Sequence, residues 1–531
     1  LWYIDPVRQF LRALSQGRVE KVPGHQAGDP TFGTVFRGTL ADFFDHSQVR
    51  AVRCLIMGWK SDGPRTGKPD VVVIYGSGAT LLMPAASCDK VCYFDVTHTT
   101  LRNRVESGEV GPLGGARGSL PPKAASKRLS YVDSAVLNKH KRRALRRMGW
   151  FVDANDPDDL KLVPRQAYDR ILSLLAEHPF RTRPIYIPGV WGGQALKSIR
   201  GLPEAMPNCA FALEMIPQKQ SVRVALGGIA LEVPFPNLLW SQSEGILGER
   251  GTRRFRHYFP VTLNYDDTVE GGDLAIQVHP NGKYLRDHFH ERIRRDESYY
   301  VVLAGEGART YHGLKEHAEL QTLRDRCVKA ELESTPFDHD EFINSWPSTP
   351  GDLLLIPAGT VHASGRNQLV LEIDSDPAAT GQEYTFHLYD YLRPDLDGAM
   401  RGIHVDHAFR VLRPYRRQAW VGEHLKQSPR LLRQGKGWSE YVLGRRRDMY
   451  YEVRRLEFDR KICDDTQGGF HLLTLVRGEK VLVSSQRFPN RQCPIKYTET
   501  VVVPAALGPY AVTNLGTGSV AMIKALLVCH G

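Results

Sequence analysis

The hydrophobic period of this 531-residue chain changes once, near residue 185, and the change limits the folds open to it. Before that point, short β-branched runs bounded by turn residues alternate with helical stretches. Val71–Tyr75, Lys90–Val96 and Trp150–Asp153 read as buried strands. Thr99–Ser107 reads as a helix, and Gln166–His178 as an amphipathic one with Ile171, Leu172, Leu174 and Leu175 as its apolar set. Strands separated by helices predict a parallel α/β layer. After residue 185 the strands become short and frequent, with turns between them, which predicts a β-sandwich or barrel. Leu314–Phe342 interrupts this pattern and reads as helical, and strands resume at 351. Asp406–Gln427 is an Arg-rich connection without a clear period. Strands dominate again from about 438: Tyr450–Phe458, Phe470–Val476, Glu479–Ser484, Thr500–Val503, Ala511–Asn514 and Val520–Leu527. No repeat of fixed period occurs. The length predicts several domains, at about 150 residues each.

The net charge is +11, and its excess is local. Residues 101–150 hold twelve Lys or Arg against three acidic residues, and Lys139–Arg143 with Arg146 and Arg147 has helical spacing. No nucleic-acid motif or interleaved aromatic accompanies these bases, so nucleic acid is not an expected partner. The loop Gly108–Lys127, rich in Gly, Pro and basic residues, reads as mobile. No apolar run of about 18 residues occurs, so no membrane partner is expected. Eight cysteines without paired zinc-finger spacing fit reduced thiols and a cytoplasmic location. The chain opens on Leu1 without a basic-then-apolar leader, and reads as a fragment or a trimmed form.

The chemistry concentrates in residues 273–391. In Leu274–Pro280, Gln277 and His279 alternate onto one face of a strand, so one amide oxygen and one imidazole can meet a metal together. Asp296–Val302 places an acidic residue, Glu297, at the opening of a second strand. Gly351–His362 has the form Gly, five residues, Pro-x-Gly, two residues, His: a strand, a tight turn, and a histidine starting the next strand. Two His, one Glu and one Gln form a mixed N/O shell that suits Zn²⁺ or another first-row divalent ion, with a position left for water or substrate.

The third of these pieces resembles the second motif of the cupin fold, and the three together resemble the class I mannose-6-phosphate isomerases. Trp191-Gly192-Gly193, the strand Leu369–Ile373 and the segment Leu388–Tyr391 extend the resemblance over about residues 185–410. It implies a zinc-dependent aldose–ketose isomerase that interconverts mannose 6-phosphate and fructose 6-phosphate, or a related sugar, through a cis-enediol. It implies one Zn²⁺ held by Gln277, His279, Glu297 and His362, with Glu372 matching an active-site carboxylate. A second role for Glu372 stays open, as a partner that orients a ligand histidine. Arg295 keeps the charge of a family Lys. His387 stands where the family has a catalytic Arg, and a His, unlike Arg, is readily neutral near pH 7. The family Ser before the ligand Gln is Ala275 here, and the family Lys on the preceding strand has no counterpart in Phe259–Asn264. Lys315 and Tyr299 are candidates for substrate contact, Lys315 with the alternative of a plain surface position. The expected partner is a small sugar phosphate. The rival reading is a non-catalytic, metal-containing cupin that acts as a sugar- or nucleotide-binding regulator.

The N-terminal segments Val71–Gly78 and Asp89–Arg104 resemble later strands of a uridine-kinase-like P-loop domain. No Gly-x4-Gly-Lys-Ser/Thr occurs, so no phosphate cradle and no ATP hydrolysis are expected there. Val501–Ala506 resembles the Pro turn of a second cupin, without a ligand His. The expected architecture is therefore multidomain α/β plus all-β. It comprises a kinase-like α/β domain over 1–184, a metal-binding cupin (β-sandwich or jelly roll) over 185–410 with a helical insert at about 314–345, and a metal-free cupin over 411–531.

Overall fold

The computed structural model describes residues 2–4, 31–61, 72–83, 87–375 and 383–528. The chain divides into two compact units: Leu1–Ile171 with Val224–Asn237, and Leu172–Arg223 with Leu238–Gly531.

In the first unit Cys92–Asp95 pairs in parallel with Trp150–Asp153, which pairs antiparallel with Lys161–Pro164. A separate parallel pair joins Trp2–Ile4 to Val72–Ile74; Val71 lies outside the described residues. The crossover from Asp95 to Trp150 runs through helices His98–Glu106, Pro122–Arg128 and Ser134–Leu145. The segment expected as a loop through Lys127 is thus helical from Pro122, because Pro at the first helical position suits a helix start. Part of the basic run is consumed internally. Lys139 Nζ donates to the carbonyls of Arg37 and Gly38, and Lys141 Nζ lies 2.7 Å from Asp95. A cavity of about 1180 Å³ in this unit is lined by Tyr75, Thr80, Lys90, Phe94 and His140 among others. The metal-competent side-chain groups found among the described residues both lie in the other unit.

The second unit contains two sandwiches. The first pairs a seven-stranded sheet with a five-stranded one. The seven run in the order Lys426–Gln427, Leu353–Ile356, Glu297–Ala304, Gln368–Ser375, Val261–Asp267, Phe211–Met215 and Ile185–Ile187. The five run Ile343–Pro347, Arg309–Leu314, His362–Ser364, Ile276–Val278 and Phe386–Tyr389. The sheets face each other, with His312 Nε2 2.9 Å from the Leu355 carbonyl. Leu353–Ile356 is buried at every position, which is why it reads as an unbroken apolar run rather than an alternating one. The insert between strands is the helix Leu320–Glu333 followed by a short turn at His339–Glu341.

Two features correct the sequence reading. Asp406–Gln427 is not structureless: it forms helices Val405–Val411 and Gln418–His424, and then a strand that joins the first sandwich. Its arginines hide the period because they are used internally. Arg416 Nη1 donates to the Pro357 and Ala358 carbonyls at 2.6 and 2.9 Å. A helix at Phe235–Phe255, broken at Gln242 and Gly248, also lies inside the region expected to be strands.

The second sandwich pairs a six-stranded sheet with a four-stranded one over Arg430–Leu527. Leu456, Leu473, Val501 and Met522 from the larger sheet meet Ile462, Val483, Ile495 and Val512 from the smaller in one buried core. The strands at Arg430–Gly435, Trp438–Arg445, Lys461–Asp465 and Gln492–Lys496 add to those read from sequence; charged side chains break up their apolar pattern. His471 is a structural residue here, with Nδ1 2.8 Å from Tyr510 Oη.

Tyr451 links the two sandwiches. Its hydroxyl donates to the Ile373 carbonyl at 2.6 Å and accepts from Ser298 Oγ at 2.8 Å. Those two residues flank Glu372 and Glu297 on neighbouring strands. Tyr451→Phe leaves a buried carbonyl and a buried hydroxyl short of a partner, and is expected to destabilise the unit by about 1–3 kcal/mol. Urea unfolding checks this; an unchanged midpoint would show that the contact contributes nothing to stability.

Candidate metal centre

Both sheets of the first sandwich supply the site. Gln277 and His362 oppose each other in register on the five-stranded sheet, and His279 follows the end of the Ile276–Val278 strand. Glu297 opens its strand on the seven-stranded sheet, opposite Asp374 and Ile356. The Pro357-Ala358-Gly359 turn locks two of these segments together. The Gly359 N–H donates to the His279 carbonyl at 2.9 Å, and Thr360 N closes the turn on the Pro357 carbonyl at 3.1 Å. Gly359 has φ +92°, and an added Cβ would lie 3.0 Å from the Val411 carbonyl oxygen, so the turn requires glycine. His362 follows three residues later.

His279 Nε2 lies 2.7 Å from Glu297 Oε1, and His362 Nε2 lies 2.8 Å from Glu297 Oε2. All three residues are buried. Each imidazole has its other nitrogen facing a backbone carbonyl: His362 Nδ1 at 2.9 Å from Thr360, and His279 Nδ1 at 3.4 Å from Tyr384. With the proton on Nδ1, both Nε2 lone pairs point at one carboxylate. The Gln277 amide reaches the same place, with Nε2 3.3 Å from His362 Nε2. Rotating the amide exchanges its nitrogen and oxygen.

Burial lowers the His279 pKa more than Glu297 raises it, which favours the neutral ring. Burial opposes charge on Glu297, but His279 and Arg295 outweigh it and hold that carboxyl well below its usual value. Arg295 cannot lose its proton, so it is the partner that persists at neutral pH. Lone pairs facing a carboxylate repel unless a cation lies among them. His279 Nε2 and Glu297 Oε2 are buried with no hydrogen-bond partner. The donor set therefore fits a divalent ion: two imidazoles, one carboxylate and one amide oxygen.

Around this set the inner face of the larger sheet is polar. Arg295 is 4% exposed and is surrounded by carboxylates. Its Nε lies 2.5 Å from Glu297, its Nη2 meets Glu372 and lies 3.0 Å from Asp374, and its Nη1 is 3.9 Å from Glu383. Asn264 Nδ2 donates to Glu372 Oε2 at 3.1 Å. Burial first, then the charge of Glu297, push the Glu372 carboxyl up to about 7 against the opposing pull of Arg295. Asp266, Asp374 and Glu383 did not stand out in the sequence. Asp374 follows Glu372 by two residues on the same strand, and Asp266 follows Asn264 by two. Alternation from Glu372 and Asn264 was the available signal.

Tyr299 faces Glu372 in register, and its ring packs edge-on against His362 at 5.7 Å. His387 opposes Gln277 across the Ile276–Val278 and Phe386–Tyr389 pair. Burial pushes its imidazole down to about 3, against the pull of Asp390, so His387 is neutral and does not reproduce a guanidinium charge. Its backbone N–H lies 3.2 Å from His404 Nδ1. Lys315 lies beyond the end of its strand. Its N–H donates to the Phe342 carbonyl at 2.7 Å, and its own carbonyl accepts from Ala318 N and Arg417 Nη1, both at 3.2 Å. His312 opposes His362 in register but is tied to the Leu355 carbonyl.

Residues 18–177 match the model of a domain of unknown function, DUF8485. The mannose-6-phosphate isomerase ManA of Bacillus subtilis (strain 168) is 27% identical over 244 residues, 45% of this chain and 69% of that protein. The mannose-6-phosphate isomerase of Streptococcus mutans is 27% identical over 225 residues, 42% of this chain and 64% of that protein. Among solved structures, the mannose 6-phosphate isomerase from Bacillus subtilis superposes with a TM-score of 0.52 at 20% identity, covering 66% of this chain and 99% of that one. The second unit thus has the fold of those isomerases, and the sequence relatives belong to the aldose–ketose isomerase class.

Proposed function

We propose that this chain is a zinc-dependent aldose–ketose isomerase acting on a sugar phosphate, with mannose 6-phosphate and fructose 6-phosphate, or a related sugar, as its pair. One observation carries the reading: two imidazole lone pairs and a Gln amide converge on the buried carboxylate of Glu297, beside a second carboxyl, Glu372, that has a different electrostatic environment. Gln277, His279, Glu297 and His362 hold the ion. A bound divalent ion acts as a Lewis acid towards the sugar oxygens, stabilising negative charge that develops on them.

The remaining work belongs to the chain. Isomerisation removes a proton from C2 of the aldose and returns one to C1, while a hydroxyl proton passes between the two oxygens. No electrons leave the sugar. Glu372 moves the carbon-bound proton; a carboxyl raised towards neutrality is suited to both taking and returning it. Arg295 neutralises the crowded carboxylates and fixes Glu297 and Glu372 relative to each other. Tyr299 packs on His362 and walls the site. His387, neutral and opposite Gln277, bounds it on the other side. Lys315 has the weaker case for substrate contact, because it lies beyond the end of the strand Arg309–Leu314.

The N-terminal unit enters this reading as a kinase-like α/β module without ATP hydrolysis. Its strands Cys92–Asp95 and Trp150–Asp153 are parallel and joined through helices, as an α/β module requires. The second, metal-free cupin is read over 411–531, and the strand Lys426–Gln427 within that stretch pairs with Leu353–Ile356 of the first sandwich. The regulator reading is favoured by one observation, the uncharged His387.

Three measurements test the proposal. Incubation with mannose 6-phosphate, followed by NMR, is expected to yield fructose 6-phosphate in a chelator-sensitive way. No turnover by folded, metal-loaded protein would shift the assignment to the regulator. Metal analysis of His362→Ala is expected to fall from one equivalent per chain to near zero; a full equivalent of retained zinc would remove His362 from the ligand set. Glu372→Gln is expected to lower kcat by about 10²–10⁴-fold while keeping its metal. A loss of metal alongside activity would instead make Glu372 a support of the ligands.

A further inference from the structure

One guanidinium is connected to all three segments that carry His279, Glu297 and His362. Arg416 lies between the helices Val405–Val411 and Gln418–His424 and is 6% exposed. Its backbone is anchored: its N–H donates to the Arg413 carbonyl at 3.0 Å, and its carbonyl accepts from Leu314 N at 3.0 Å. Its Nη1 meets three oxygens of one turn, the Pro357 carbonyl at 2.6 Å, the Ala358 carbonyl at 2.9 Å and Thr360 Oγ1 at 2.6 Å. Among the described residues these turn oxygens, rather than a carboxylate, receive the buried charge, which is a costly way to hold a guanidinium.

The far side of the same turn accounts for that placement. A trans peptide is planar, and its C=O and N–H point in opposite directions. The Pro357 carbonyl faces Arg416, so the Ala358 N–H of the same plane points away and donates to Asp296 Oδ1 at 2.9 Å. Asp296 is buried and directly precedes Glu297. The Ala358 carbonyl also faces Arg416, so the Gly359 N–H points away and donates to the His279 carbonyl at 2.9 Å. Thr360 makes the third link. Its Oγ1 accepts from Arg416, and its carbonyl faces His362 Nδ1 at 2.9 Å. Two peptide planes and one threonine thus join Arg416 to the segments of Glu297, His279 and His362.

We propose that Arg416 is a positioning residue for the metal centre: by fixing the tilt of the peptides in the Pro357–Thr360 turn, it sets the spacing of His279, Glu297 and His362 and so the affinity of the site for a divalent ion. The inference rests on the metal-binding part of the isomerase reading. Arg416 acts through the turn, not by touching the ion or the substrate. Without it the two peptide planes lose the group that orients their carbonyls, and their N–H groups are no longer held on Asp296 and His279. Outer partners of this kind orient the side chains that ligate a metal.

The test measures metal binding by the full chain, without any sugar phosphate. Arg416→Met keeps an apolar stem and removes every donor. Arg416→Lys keeps the charge and a donor, on a shorter reach. Zinc affinity, read by competition with a chromogenic chelator, is expected to fall about 10–100-fold in Arg416→Met, with Arg416→Lys between that variant and the parent. A second readout separates positioning from mere support of the fold. Visible absorption of the Co²⁺-loaded protein reports the geometry of the ligands, and its bands are expected to shift in Arg416→Met. Zinc affinity within about twofold of the parent in Arg416→Met, or an unmoved cobalt spectrum, overturns the proposal. If Arg416→Met does not fold, Arg416→Lys decides: weaker affinity with shifted bands supports the proposal, and affinity and spectrum equal to the parent's overturn it. A parent protein that binds neither zinc nor cobalt overturns the proposal together with the metal centre. A parent that binds zinc but isomerises no sugar phosphate removes only the isomerase reading, and the loss of affinity in Arg416→Met still supports the positioning role.

Discussion

The first sandwich is organised around one charged group, the carboxylate of Glu297. It sits between two buried imidazoles whose lone pairs are aimed at it, with the Arg295 guanidinium behind. Burying such a group is costly unless it is paired. The pairing here dictates much of the surrounding architecture. Arg295 must be buried to reach Glu297, and its remaining hydrogens then require Glu372, Asp374 and Glu383. Glu372 and Asp374 need inward-facing positions on a strand, whereas Glu383 lies ahead of the strand Phe386–Tyr389. Register supplies those positions: Glu297 opposite Asp374, Tyr299 opposite Glu372, and Asn264 opposite Glu372. The polar inner face of the larger sheet follows from that one charge.

The rest of the second unit keeps this face dry and in register. The Pro357-Ala358-Gly359 turn binds the His279 backbone, and the Arg416 guanidinium caps the turn's carbonyls. Tyr451 reaches from the second sandwich to the strands carrying Glu297 and Glu372. The second sandwich has its own apolar core and supports the first by contact. Fixed donors of this kind are what let a site act on charge as it develops, since they need no rearrangement during the reaction.

His387 illustrates how burial sets the charge at one strand position. It occupies the strand position opposite Gln277, yet burial keeps it neutral. The positive charge near the metal centre comes instead from Arg295, already shared among four carboxylates. A neutral His387 leaves that strand position without a fixed positive charge, although the fold is that of the isomerases.

The amino-acid sequence by itself carried the change of period near residue 185, the buried strands at Leu353–Ile356 and Thr500–Val503, and the spacing that put Gln277, His279, Glu297 and His362 together as candidates. These are local properties: a two-residue alternation and a glycine turn can be read without knowing what lies across the sheet. The helices at Val405–Val411 and Gln418–His424 were not legible, because Arg416 and Arg417 between them serve partners distant in sequence. Nor were Asp266, Asp374 and Glu383. Nothing along the chain distinguishes a solvated carboxyl from one enclosed beside Arg295. That difference arises only when strands far apart in sequence bring their inner faces together, because burial and long-range pairing, rather than residue type, set a carboxyl's charge and orientation.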